Sequence, residues 1–208
     1  DVLVDGDYNT VLGHGAMGSG THTSMNYNTV IGAWAGDDMT SVAVADTVLI
    51  GGFAGSGALT ADATGTVAVG KGALKVLTSG IGNVAIGSGS LATEDTGDKN
   101  TAVGTAALAN QNRDGTVGNT ALGWHAGHSI TTGHQNTFLG INAGGGATTA
   151  SGSVAIGYST GYPVNGNWNI AIGAQALNAS SVTGDSNIAI GYAAGDAMSS
   201  GYQNVFMG

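Results

Sequence analysis

Polar and apolar positions follow one another along this chain in a recurring phrase of five residues. It runs from a short polar side chain through a β-branched residue, a third residue that is usually apolar and an aliphatic residue to Gly. Twelve copies end at Gly13, Gly32, Gly51, Gly70, Gly87, Gly104, Gly123, Gly140, Gly157, Gly173, Gly191 and Gly208, spaced 16 to 19 residues apart. With the glycine as position 0, residues −3 and −1 share one face of an extended strand and −2 points to the other. The apolar period is 2, so the phrase predicts a short β-strand. Glycine at 39 of 208 positions opposes helix, since each costs about 1 kcal/mol in a helix interior. A unit this short cannot bury an apolar face alone, and stacked neighbours must supply the core. The predicted fold is an all-β, parallel β-roll or β-solenoid of about twelve coils, forming one repeat domain over residues 1–208.

The columns of the repeat assign roles. Position −4 is Asn in nine copies (Asn9, Asn28, Asn83, Asn100, Asn119, Asn136, Asn169, Asn187 and Asn204), and Thr47, Thr66 and Ser153 replace it elsewhere. Asn suits a corner and, in stacked coils, can bond to its equivalents as a ladder. Position −3 is always Thr, Val or Ile, and −1 is always Leu, Ile, Val or Met. Position −2 is Ala in seven copies, with Phe138 and Phe206 as departures. This pattern predicts that −1, together with −3, fills the coil while −2 faces a close neighbour that tolerates only a methyl group. After the anchor, +3 is Ala in nine of eleven copies and +4 alternates between Gly and Leu. The segments beyond, such as Asp37–Asp46, Ala92–Lys99, Ala109–Gly118 and Asn178–Ser186, are variable and polar and hold most of the acidic residues. They read as solvated outer loops on a constant wall.

Charge narrows the function. The net charge is −9, with Lys71, Lys75, Lys99 and Arg113 as the only basic residues. A nucleic-acid partner needs a basic footprint, and an anionic membrane surface would repel this chain. Its longest suspicious stretch, Val48–Ala61, has fourteen uncharged residues with four glycines, too short to span a bilayer. Without cysteine, neither disulfides nor thiolate sites are available. The chain starts inside a repeat and stops on an anchor, so it reads as a segment of a longer protein.

The phrases Asn100-Thr-Ala-Val-Gly104-Thr-Ala-Ala-Leu108, Asn169-Ile-Ala-Ile-Gly173-Ala-Gln-Ala-Leu177 and Asn187-Ile-Ala-Ile-Gly191-Tyr-Ala-Ala-Gly195 resemble two related groups. One is the head repeat of trimeric autotransporter adhesins; the other is a repeat of bacteriophage tail-fibre proteins. The resemblance covers essentially the whole chain. It implies a left-handed roll, three rolls associated around one axis, and a structural and adhesive role. The longer coils favour the phage group. The expected protein is thus a tail-fibre segment of a virion, a homotrimer that carries or forms a surface for a host glycan or protein. The alternative is the extracellular head of a bacterial adhesin, and a polysaccharide-degrading tailspike is the third reading.

Candidate chemistry is sparse. Gly13-His-Gly15-Ala-Met-Gly18 matches a dinucleotide fingerprint literally, but no βαβ unit surrounds it, and no cofactor is expected. His14, His22, His125, His128 and His134 are read as surface histidines rather than metal ligands. The acidic groups Asp37-Asp38 and Glu94-Asp95 with Asp98 are read as solvated carboxylates. Glu94 is the only Glu, and the Asp residues lie on separate loops, so no enzyme is expected. The aromatics Trp34, Trp124, Tyr158, Trp168 and Tyr192 sit close to the anchors and are the candidate receptor contacts.

Overall fold

The computed structural model describes residues 3–18, 22–39, 44–162, 164–179 and 182–208, with side chains left out at 3–5, 22 and 23. Each repeat phrase forms one three-residue strand, from Thr10–Leu12 to Val205–Met207. These twelve strands pair in parallel, in chain order, as a single sheet. The register matches repeat to repeat: Thr10 faces Thr29, Ala85 faces Ala102 and Ile172 faces Ile190. Shorter parallel pairs join Leu3–Asp5 to His22–Thr23 and Gly97–Asp98 to Gly115–Thr116. One 3-10 turn, Ala61–Ala63, is the helical element among the described residues. The chain is a parallel β-solenoid of about eleven turns.

The two faces of the strand are the reverse of the sequence expectation. Position −2 lies inside: Val30, Leu49, Ala68, Ala85, Ala102 and Ala121 are fully buried. Positions −3 and −1 face outward, with Leu12, Ile86, Leu122, Leu139 and Ile190 exposed and Ile172 half-buried. The +3 alanines are also interior, Ala16, Ala35, Ala54 and Ala107 among them. Both Ala columns therefore pack inside the chain's own coils, and the close neighbour of −2 is the coil interior.

The physical reason is the Asn column. Residues −4 and −2 share a strand face, and the −4 side chains are buried from Asn28 to Asn187. There they form the ladder. Asn136 donates its backbone N–H (2.9 Å) and its Nδ2 (3.1 Å) to Asn119 Oδ1, while Asn119 Nδ2 donates to Gly133 O (2.8 Å). The same three bonds recur at Asn187 and Asn204, with Gly201 O accepting from Asn187. Thr47 keeps part of the pattern, its Oγ1 donating to Asn28 Oδ1 at 2.7 Å. A buried amide needs such partners, and the column can find them only on the inside.

The anchors explain the glycines. Gly13 and Gly32 hold φ of +139° and +134°, and a Cβ there would lie 2.5 and 2.6 Å from the next anchor's carbonyl oxygen. Anchors thus stack directly on anchors, leaving no room for a side chain.

Inside the coil, volume is shared between −2 and +4. Where −2 is Ala, as at Ala68, Ala85, Ala102 and Ala171, the buried +4 residue is Leu74, Leu91, Leu108 or Leu177. Where a large −2 residue is buried, as at Val30, Leu49 and Phe138, +4 is Gly: a Cβ on Gly55 would sit 2.7 Å from Leu49, and one on Gly144 would collide with Phe138. The coil is too thin for both, which accounts for the phenylalanines. Three coils have neither: at Gly127 and Gly195 the large side chains of adjacent coils (Leu108 and Phe138, Leu177 and Phe206) fill the space, but at the Gly157 coil, with Ala155 at −2 and Gly161 at +4, they do not. An apolar cavity of about 10 Å3 opens there, bordered by Phe138, Val164 and Ala171. The buried core divides at the same point, into a cluster ending at Ala155 and another beginning at Val164.

The variable segments are not all outside. Met39, Leu77 and Ile130, each at +7, are fully buried and complete the interior opposite the strand. Asp and Asn at −6 form a second, broken ladder. Asp98 Oδ1 accepts from Ile81 N (2.8 Å), Asp185 Oδ1 from Asn167 N (2.7 Å) and Asn26 Oδ1 from Asp7 N (2.8 Å). These acidic side chains hold adjacent coils together rather than standing free in solvent. Of the variable stretches, residues 40–43 and 180–181 lie outside the described set.

Candidate functional site

Three features of the solenoid bear on function: the outer face of the sheet, a lateral groove, and one buried carboxyl.

The outer face carries one aliphatic column, position −1, along the whole sheet, flanked by a −3 column that is Val or Ile in seven coils and Thr in five. Exposure reaches 49% at Leu122 and 40% at Ile86 and Leu139, in the middle of the stack and not only at its ends. At about 4.8 Å per strand the stripe is roughly 50 Å long. A contiguous apolar stripe of this size exceeds the scattered apolar residues of an ordinary monomer surface.

The candidate receptor contacts are all exposed, but they do not converge. Trp34 follows its anchor by two residues and meets His14 edge-on, ring centroids 5.0 Å apart. Trp124 follows by one residue and stacks on His125 at 3.7 Å; Tyr158 and Tyr192 occupy the same column with other residue types between them. Trp168, five residues before its anchor, lies over Gly152. In that last column the pair Tyr8 and Tyr27 stacks across coils at 5.0 Å. Aromatic stripes are therefore local pairs, not continuous rows.

A groove of about 330 Å3 crosses the coils of Gly123, Gly140, Gly157 and Gly173. Its walls are the +2 column (His125, Asn142, Ser159) and the +5 column (His128, Tyr162, Asn178), with Gly145 between them. The +2 residues hold left-handed backbone, φ 55° at His125 and 56° at Asn142, which turns their side chains out at a corner. Gly145 lacks the side chain that would press on Tyr162, a Cβ there coming within 3.3 Å of the ring. His125 stacks between Trp124 and His128, the two imidazole centroids 4.6 Å apart. Burial, and secondarily the neighbouring His128, hold the His125 pKa below its ordinary value. Both effects disfavour the charged form of the ring. Sequence reasoning singled out His125 and His128 but missed Tyr162, Asn142 and Asn178. Aligning the repeats at +2 and +5 would have exposed the run.

Glu94 is a correction to the solvated-loop expectation. It is fully buried at +7, beside Gln111 at the same position of the next coil. Its Oε1 accepts from Gly97 N at 2.7 Å, while Oε2 has no partner. Burial, aided by Asp95, raises its pKa to about 7. Gln111 is satisfied by Asn119 Nδ2 (2.6 Å) and Thr131 O (3.1 Å).

Among the described residues no three His, Asp or Glu side chains come together as a metal site, and no helix is long and apolar enough to cross a membrane. No protein-family model, curated protein or solved structure matches the chain.

Proposed function

We propose that this solenoid is a structural and adhesive, non-enzymatic segment of a homotrimeric fibre of the phage tail-fibre type, displaying a surface for a host glycan or protein. The observation that supports it best is the aliphatic outer face. Copies of the same chain offer a matching stripe of equal length, and a −9 body gains nothing from an acidic surface partner. In this reading the three sheets turn inward and the loops and lateral grooves turn out. Repetition makes the sheet face nearly uniform, so specificity belongs to the parts that differ between coils. Binding by three chains then adds through avidity.

The test is adsorption. The Ala109–Gly118 segment carries the buried Gln111 and Val117, so the exchange leaves those two in place and replaces the exposed residues with Gly and Ser. Together with a matching exchange of exposed groove residues, it should abolish adsorption to host cells without loss of fold. Unaltered adsorption by correctly folded protein would show that this segment is a spacer.

A further inference from the structure

We infer that the lateral groove over the Gly123 to Gly173 coils binds a neutral, hydroxyl-rich oligosaccharide lying along the solenoid axis. This rests on the adhesive reading above and names its ligand. The lining decides the chemistry. His125, His128, Asn142, Ser159, Tyr162 and Asn178 each both donate and accept hydrogen bonds, and none carries a fixed charge. Sugar hydroxyls have the same double character. A phosphate or carboxylate would find no cation here, and the net charge of −9 opposes its approach.

Geometry adds direction. The groove repeats its polar groups from coil to coil, at about 4.8 Å per step, so it suits a chain ligand with its own short repeat. The half-exposed Tyr162 ring beside the bare backbone of Gly145, and the His128 end of the ring stack, supply flat faces for the apolar side of a sugar ring. A peptide strand is less well served, because the backbone N–H groups here are already used: Asn142 N donates to Trp124 O (3.0 Å) and Ser159 N to Ile141 O (2.9 Å).

The experiment titrates the purified protein with neutral gluco-, manno- and galacto-oligosaccharides, uronate- and sialate-bearing oligosaccharides, and a mixed peptide library. Binding is read by ligand-observed NMR, and cell adsorption is measured on the same preparations. Tyr162→Ala removes the ring, Gly145→Val fills the floor, and Asn178→Ala removes one amide; each variant is checked by circular dichroism and melting. The expected result is binding to a neutral member, weakened at least tenfold in Tyr162→Ala and Gly145→Val at unchanged melting temperature. Should one of them fail to fold, Asn178→Ala still reads the site. Binding only to acidic sugars or peptides, or neutral binding that ignores all folded variants, overturns the inference. If no oligosaccharide binds while cells still adsorb the protein, the groove assignment falls and adhesion stands; loss of both removes the adhesive reading as well.

Discussion

The inner and outer faces of the same three-residue strand differ in a way that inverts the usual rule. At the Gly123 coil the buried residue is Ala121, and the exposed ones are Thr120 and Leu122. At the Gly87 coil Ala85 is fully buried while Ile86 is 40% exposed. A globular sheet would place the larger aliphatic inside. Here the interior is a thin slot already occupied by the Asn ladder, the +3 alanines and the large side chains at −2, +4 or +7. The remaining aliphatic volume is directed outward, onto the face that the proposed association would cover.

Putting charge on the inner face should have the largest effect. Ala102→Asp buries an unpaired carboxylate beside Leu108, costing several kcal/mol, and the expected outcome is loss of the folded state by circular dichroism. Ile172→Asp, on the outer face, should leave the coil intact and act on association. Equal damage from both would erase the distinction between the faces.

The ladder comes next. Asn119→Ala strips partners from Asn136 N, Gln111 Oε1 and Gly133 O, and a loss of about 4 kcal/mol is expected from chemical denaturation. Glu94 is a milder break in the same interior. Its carboxyl keeps a proton up to about pH 7 in the folded chain but releases it near 4.5 when unfolded. The folded state is therefore favoured most below pH 4.5, and it loses about 3 kcal/mol as pH rises to just above 7. Melting curves between pH 4 and 8 should show this decline, and Glu94→Gln should flatten it. The smallest effect concerns the cavity. Ala155→Val above Gly161 recreates the pairing of Val30 with Gly36 found in the same chain, and should stabilise by about 0.5 to 1 kcal/mol. The same change at Ala102, where Leu108 fills the slot, should destabilise by about 1 to 3 kcal/mol.

How far the sequence foretold this is set by what a repeat displays. Anchor glycines, repeated twelve times, and the −4 asparagines, repeated nine times, give the coil its length, register and ladder directly. Facing was misjudged because size was read as burial; the position of Asn28 or Asn119 on the same side as −2 was the decisive clue. Glu94 and Met39 were hidden in segments whose polarity suggested loops, since one buried side chain among many exposed ones leaves no periodic trace. The exposed Trp124 was legible from its place after the anchor. The groove was not, because it draws six side chains from four coils, and no contiguous motif contains them.

Most directly, the account turns on the mass of the purified chain in solution. Light scattering should give three times 20.1 kDa for the parent. A triple outer-face variant, Ile86→Asp with Leu122→Asp and Leu139→Asp, should fall to a single chain that keeps its β circular dichroism while the coils hold. A parent that runs as a stable 20.1 kDa monomer, with its aliphatic face open to water, would contradict it.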